Sequence, residues 1–322
     1  MIASPLRYPG GKAKLFPYFA ELIRSNKLFG AQYCEPYAGG AGLAIKLLID
    51  GFVNRISIND IDKSIYAFWV SALFDTNKFC RLIEKTPVDI DQWYHQRKIW
   101  QAGDTDNKLS LGFSAFFLNR TNRSGIIEGA GPIGGYAQKG NWKIDVRLVK
   151  EKQIENIKAL SRYADQIDVT NLDALDYLKR TISLENSLVY LDPPYFVKGH
   201  KLYKNFYQPS DHIKIANELR RKRRSNWVVS YDDVPEIRAA YFDFSPITYL
   251  LNYSAGEKSF GAEVIFLSDA LSAPDVRGFS IHHVRRKRLV GKQKNPSFGA
   301  KPRSAPSLNC VRGGLKQLSD NS

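Results

Sequence analysis

At 322 residues, 43% hydrophobic and 25% charged, the chain is long enough for one large domain or two ordinary ones with a substantial core. It contains no run of eighteen apolar residues and opens on no charged–apolar–small leader, which argues against a helical membrane span and against secretion. The net charge of +15 is uneven: residues 277–322 carry 11 of the 47 Lys and Arg and one acid, a net of +10, leaving +5 on residues 1–276. So mildly basic a body permits a nucleic-acid partner without demanding one. The tail, 277–322, has no hydrophobic period and carries RRKR at 285–288 among scattered Ser, Pro and Gly, so it is expected to be disordered. Cys34, Cys80 and Cys310 lack metal-ligand spacing and read as ordinary thiols of a cytoplasmic protein.

In chain order, PLRYPGGKAKL at 5–15 looks like half a phosphate loop. Leu6 and Ala13 stand where a Walker motif needs Gly and Ser or Thr, so an NTPase is not expected and PGGK reads as a turn before the helix KLFPYFAELI. YCEPY at 33–37 reads as a short buried strand, and AGLAIKLLID at 41–50 as a helix closed by Gly51. RISIND at 55–60 is the next strand, with Ile56 and Ile58 on one face, and SIYAFWVSALF at 64–74 the next helix. Residues 75–165 break this rhythm with Trp93, Tyr94, Trp100, a glycine-rich span at 125–140 and Trp142; an inserted, mostly helical subdomain is expected there. Alternation returns with SLVYL at 187–191, a helix beginning near 210, WVVSY at 227–231 and a short helix near 234–241. ITYLLNY at 247–253 and EVIFLSD at 263–269, joined by the Gly-containing AGEKSFGA, should pair as an antiparallel hairpin. The expected architecture is a mostly parallel α/β sheet with a reversed edge hairpin.

Three stretches carry chemistry. EPYAGGAG at 35–42 places a glycine cluster between a strand and a helix N-terminus, where the backbone can approach a polar ligand. Asp60 ends the next strand 21 residues beyond Gly39, the place where an acid accepts hydrogen bonds from ribose hydroxyls. Together they point to an adenosine-bearing cofactor at the carboxyl edge of the sheet, and the absence of GxGxxG argues against a nicotinamide. In LDPPYF at 191–196, two prolines stop the preceding strand and make a rigid elbow with a carboxylate on one side and a ring on the other. Asp192 and the Pro193 carbonyl offer two acceptors to an exocyclic amine, and Tyr195 offers a face for a base. With a sulfonium methyl donor, no metal or nucleophile is required. Positioning the amine and accepting its proton suffice. A base inside a duplex would have to be flipped out to reach such a pocket. His95, His200, His212, His282 and His283 show no metal-ligand spacing, and RRKRR at 220–224 suits a helix C-terminus.

These residues resemble the Dam-type DNA adenine N6-methyltransferases. LRYPGGK resembles that family's N-terminal motif, EPYAGGAG its glycine loop, NDID its ribose-binding strand end, FFLNRTNRSG at 116–125 its mid-chain stretch, LDPPY its catalytic motif and WVVSYDD at 227–233 the strand after it. The likeness covers most of residues 4–272, with the motifs in order. It implies a Rossmann-like, S-adenosyl-L-methionine-dependent methyltransferase sheet holding an inserted helical recognition subdomain. Residues 1–74 and 166–276 would form the catalytic domain, 75–165 the target recognition insert, and 277–322 a basic tail.

Carried over position by position, the resemblance implies that Tyr8, Lys12, Glu35, Pro36, Tyr37, Gly39 and Gly40 contact S-adenosyl-L-methionine. Asp60 would hold the ribose, and Asp173 the cofactor adenine. Asp192, with Pro193, Pro194 and Tyr195, would form the catalytic tetrapeptide, Asp192 binding the target amine beside the cofactor and Tyr195 stacking on the target base. Arg120, Asn122 and Arg123 would meet base edges or phosphates of double-stranded DNA, with 125–140 a loop that orders on DNA. Tyr8 stands where relatives often have Trp, and Ala41 where some have a second spaced glycine. The implied activity is site-specific adenine methylation by a monomer, either solitary or acting separately from a cognate restriction endonuclease. An RNA methyltransferase or a catalytically silent DNA-binding relative are the alternatives.

Overall fold

SLVYL forms a strand over its whole length, Ser187–Leu191, with all five residues buried, as expected of a strand covered on both faces. A computed structural model describes residues 2–8, 12–196, 207–253 and 259–281 of the chain. The residues PGG at 9–11, the connector 254–258, His200 and everything from 282 on, with His282, His283 and Cys310, lie outside the described residues.

Among those residues the strands are β1 (Gln32–Glu35), β2 (Arg55–Asn59), β3 (Ile167–Thr170), β4 (Ser187–Leu191), β5 (Trp227–Asp232), β6 (Ile247–Tyr253), β7 (Ser259–Leu267) and β8 (Phe279–Ile281). They form one sheet in the order β3-β2-β1-β4-β5-β7-β6-β8. The first five run parallel, and β5–β7, β6–β7 and β6–β8 pair antiparallel. The expected hairpin is present as β6 and β7, but β8 adds a further strand outside it. Residues 279–281, expected in the tail, therefore belong to the sheet. β3 escaped the sequence pattern because it is an edge strand with only Ile167 buried, so its apolar run is too short to stand out.

The helices are α1 (Phe16–Ser25), α2 (Gly42–Ile49), α3 (Lys63–Phe74), α4 (Thr76–Lys85), α5 (Ile90–Ala102), α6 (Lys108–Thr121), α7 (Lys150–Ser161), α8 (Ala174–Thr181), α9 (Pro209–Arg221) and α10 (Pro235–Ala240). Their starts follow local chemistry. Asp62, Asp89 and Asn107 each accept a hydrogen bond from a first-turn N–H of α3, α5 and α6, and α9 opens on a capping box between Gln208 and Asp211. No helix of the described residues is long and apolar enough to cross a membrane.

Two cores lie on opposite faces of the sheet, and the strands divide between them by alternate residues. Tyr33, Leu188, Tyr190, Val228 and Ile265 join one core with α1, α2 and α3; Cys34, Val189, Leu191, Val229, Tyr231 and Phe266 join the other with α8, α9 and α10. The helices of 75–165 share the first core instead of building one of their own. Phe68 of α3 stacks on Phe116 of α6 at 5.9 Å and meets Phe79 of α4 edge-on at 5.7 Å. Gly112 makes the close approach of α6 to α3 possible: a Cβ there would lie 2.5 Å from the Ala67 carbonyl. Burial contributes about 1.5–3 kcal/mol per Phe, against about 0–1 for a surface ion pair, so the aromatic cluster decides this docking.

Candidate active site

The glycine loop follows β1, Asp60 follows β2, Asp173 follows β3 and Asp192 follows β4, so four parallel strands deliver them to one edge of the sheet. The chain leaves β1 toward β2 on one side, while β4 lies on the other. The loop 35–42 and Asp192 thus flank the point where strand order reverses, the usual ligand crevice of an open α/β sheet.

The loop is pinned from several directions. Gly39 and Ala41 both take positive φ, +46°, which turns the chain from β1 into α2. The Gly39 N–H donates to Asp60 Oδ2 at 2.9 Å, and its carbonyl accepts from Trp69 Nε1 at 2.9 Å. The Tyr8 ring lies over Gly39 so closely that a Cβ would sit 2.6 Å from it, and a Cβ on Gly40 would meet Ser4 and Tyr8 at 3.3 Å. Asn59, which sequence reading passed over, clips three strand ends together. Its amide donates to the Pro36 and Leu172 carbonyls at 3.0 Å each, and its Oδ1 accepts from Thr170 Oγ1 and the Leu172 N–H.

Two carboxylates at this edge have ionisation unfavourably placed. Burial, with the Asp192 charge adding, pushes Glu35 up to about 8 despite a 3.0 Å hydrogen bond from the Tyr33 hydroxyl. Burial and Asp62 push Asp60 up to about 7 despite N–H bonds from Gly39 and Asp62. Asp173 is exposed and caps α8 through Oδ1; Tyr37 bonds the Tyr207 hydroxyl at 2.7 Å.

On the other side of the crevice, Asp192 accepts from Ser230 Oγ at 2.9 Å and lies 3.3 Å from Lys12 Nζ. Its side chain keeps 25% of its surface exposed, so it remains open to a ligand. Burial raises it to about 6; Lys12 opposes the rise and Glu263 adds to it. Pro193 is buried, Pro194 half-buried, and the Tyr195 ring is only 7% exposed. Tyr195 donates to Glu263 Oε1 at 2.6 Å and accepts from Lys12 Nζ at 3.0 Å. Lys12 also lies 2.8 Å from Glu263 Oε2, to which the Tyr249 hydroxyl donates as well. Burial would lower Lys12, but Asp192, Tyr249, Tyr190 and Glu263 outweigh it and hold the ammonium charged well above its ordinary value. Glu263 falls below the usual range, since Lys12 and the hydrogen bonds it accepts overcome the cost of burial.

The residues expected on DNA separate. Arg123 is exposed on a short turn after α6. Arg120 is half-buried, donating to the Arg147 carbonyl at 2.7 Å, and burial with the nearby Arg7 and Arg147 brings it down to about 10. Asn122 is fully buried: it accepts from Trp93 Nε1 at 2.7 Å and donates to the Ile126 and Ile127 carbonyls at 2.8 and 3.2 Å. With its amide committed inside the protein, Asn122 presents nothing to a base edge in this conformation, unlike the exposed Arg123. The span 125–140 is held by its own bonds, among them Gln138 to the Ile133 and Gly135 carbonyls, and Gly125 packs where a Cβ would meet the Arg7 carbonyl at 2.5 Å.

Residues 8–252 match the family model of the D12 class N6 adenine-specific DNA methyltransferases. The chain belongs to this family. Among curated proteins it is similar to the Type II methyltransferase M.CviBI of Paramecium bursaria Chlorella virus NC1A, 20% identical over 213 residues, which cover 66% of this chain and 76% of that protein. The adenine methyltransferase match takes in Tyr8, the glycine loop, Asp60 and Asp192, and it ends before β7 and Glu263. Among the described residues no group of His, Cys, Asp and Glu could hold a metal ion, and Cys34 and Cys80 are free and buried.

Proposed function

We propose that the chain, a member of a family of N6 adenine-specific DNA methyltransferases, methylates adenine N6 at a specific sequence in double-stranded DNA, on a base flipped into the crevice, with S-adenosyl-L-methionine as methyl donor. The observation that carries the reading is Asp192: a partly open carboxylate beside a buried ammonium, across the strand-order switch from a glycine loop. The donor set fits such a cofactor, because Glu35 and Asp60 line the loop without a cationic partner among the described residues. A ligand ammonium and ribose hydroxyls would supply what they lack, with Tyr8, Lys12, Pro36, Tyr37, Gly39, Gly40 and Asp173 completing the cradle. Bound there, the cofactor would offer a sulfonium methyl group as the electrophile.

The chain's own residues then divide the work. Asp192 and the Pro193 carbonyl accept the two N6 hydrogens, which orients the nitrogen lone pair and stabilises the positive charge that grows on it. Pro194 keeps the elbow rigid, and Tyr195 walls the base. Arg123 and Arg120 favour phosphates, with 75–165 as the recognition insert of a Rossmann-like catalytic domain. The reading is of a single chain working apart from any endonuclease of like specificity. Sequencing DNA from cells that express the chain, with detection of modified adenines, tests it. N6-methyladenine confined to one motif is expected, lost with Asp192→Ala. Methylated RNA with unmodified DNA would overturn it.

A further inference from the structure

The family match ends at residue 252, and the strand beyond it carries a carboxylate with no solvent exposure, Glu263. An ionised acid survives burial only when its charge and lone pairs are met. Glu263 is met by Lys12 at 2.8 Å, Tyr195 at 2.6 Å and Tyr249. These donors come from the N-terminal segment, the catalytic elbow and β6. The strand register sets Glu263 opposite Asp232 at the carboxyl end of β5, the edge where the site lies.

We propose that Glu263 is a positioning residue for methyl transfer, which acts through Lys12 and Tyr195 without touching substrate: it draws the ammonium away from Asp192 and locks the ring beside the target base. The inference rests on Asp192 being the acceptor of the target amine. Lys12 stands between two carboxylates and lies nearer to Glu263, at 2.8 Å against 3.3 Å for Asp192. Asp192 is thereby kept ionised without being fully neutralised, and stays a strong acceptor. Tyr195 accepts from Lys12 and donates to Glu263, so two bonds fix its ring. The other groups facing this network are Tyr190, Tyr249 and Ser230, with Glu35 and Tyr33 on β1. Among the described residues, the cation that reaches both carboxylates is Lys12.

The test compares methyl-transfer rates of the full chain with Glu263→Gln, Glu263→Asp, Lys12→Gln, the Lys12→Gln/Glu263→Gln double variant and Asp192→Ala across pH, with melting and cofactor titration alongside. Glu263→Gln should lower kcat about tenfold or more while changing the KM values by less than about threefold. Its acid limb should move to lower pH, because the negative charge that opposes Asp192 ionisation is gone. Glu263→Asp keeps the charge and shortens the arm, so the limb should stay while kcat falls. In the Lys12→Gln background, Glu263→Gln should cost less than it does in the parent, since one of its two routes to the site is already broken and only its bond from Tyr195 remains to be lost. If Asp192→Ala still methylates DNA, the reading of the site fails. If Asp192→Ala is inactive while Glu263→Gln stays within about twofold of the parent with an unmoved limb, the positioning role alone is overturned. Should Glu263→Gln not fold, an unaltered kcat in Glu263→Asp overturns it.

Discussion

The Ser230 hydroxyl donates to Asp192 Oδ1 at 2.9 Å, and behind it the Tyr190 hydroxyl lies 2.7 Å from Ser230 Oγ, so a buried chain of hydroxyls backs the Asp192 carboxylate. A hydrogen bond to the ionised form favours it, and here it partly offsets the burial that lifts Asp192 to about 6. Ser230→Ala should therefore raise Asp192 further and shift the acid limb of the methylation rate to higher pH, opposite to the shift expected for Glu263→Gln. The loss should be about 1–3 kcal/mol of carboxylate stabilisation, with rate recovering at high pH. A pH–rate profile with an unmoved limb would show that Ser230 does not reach the reacting carboxylate.

With burial holding Glu35 near 8 and Asp60 near 7, cofactor binding at the proposed site should depend on pH. Both acids are raised by burial, so at pH 6 the ligand-free protein holds protons that an ammonium-bearing ligand must expel. Affinity for S-adenosyl-L-methionine should strengthen as pH rises from 6 to 8, with about one proton released per bound molecule near neutrality. The free protein should lose stability over the same window, since its folded carboxylates bind more protons than the unfolded chain does. Glu35→Gln should flatten the affinity profile. Calorimetric titration in buffers of different ionisation enthalpy measures the protons released, and zero release would mean that these carboxylates do not meet the cofactor.

Asn122 and Arg123 are neighbours in sequence with opposite surroundings, one buried and one exposed. Asn122→Ala leaves Trp93 Nε1 and the Ile126 carbonyl without their partner, a cost of about 1–3 kcal/mol seen as lower melting temperature. Arg123→Ala should leave melting unchanged, weaken DNA binding and reduce the slope of log K against log salt by about 1. A large loss of DNA affinity at unchanged stability in Asn122→Ala would return that residue to the DNA surface.

These neighbours show where the sequence was legible. SLVYL and WVVSY read correctly as strands because parallel strands buried on both faces are continuous apolar runs, and LDPPY marks its own strand end through two missing N–H donors. The elements at the sheet's margins did not read: β3 has one buried residue, and β8 only three residues in all. The asparagines at 59, 119 and 122 carry no periodic signal, yet each closes a long-range clip, as Asn119 does by exchanging 2.7 and 2.8 Å bonds with the Arg7 backbone. Glu263 did leave a sign. An acid at the head of the apolar run EVIFL on a central strand must have a buried partner, although the sequence does not say which.

The tail can be divided at β8. Phe279, half-buried, stacks on Tyr18 at 4.3 Å and on Tyr249 at 5.0 Å, and Tyr249 in turn donates to Glu263. A chain ending at residue 272 loses this cover, so it should melt lower by about 1–2 kcal/mol, less than a fully buried Phe would cost. Its methylation rate should fall too, because the ring that steadies Tyr249 is gone. A chain ending at residue 285 keeps β8 and removes nine Lys and Arg and one acid, a net of +8. It should fold, methylate the same sequence and reach a comparable saturating rate. What should change is affinity for any duplex at low salt, with a shallower salt dependence as fewer counterions are released. Salt series on specific and unrelated duplexes, run with methylation assays on both truncated chains, separate the two effects. A change of methylated sequence on ending at 285 would place residues 286–322 in target recognition.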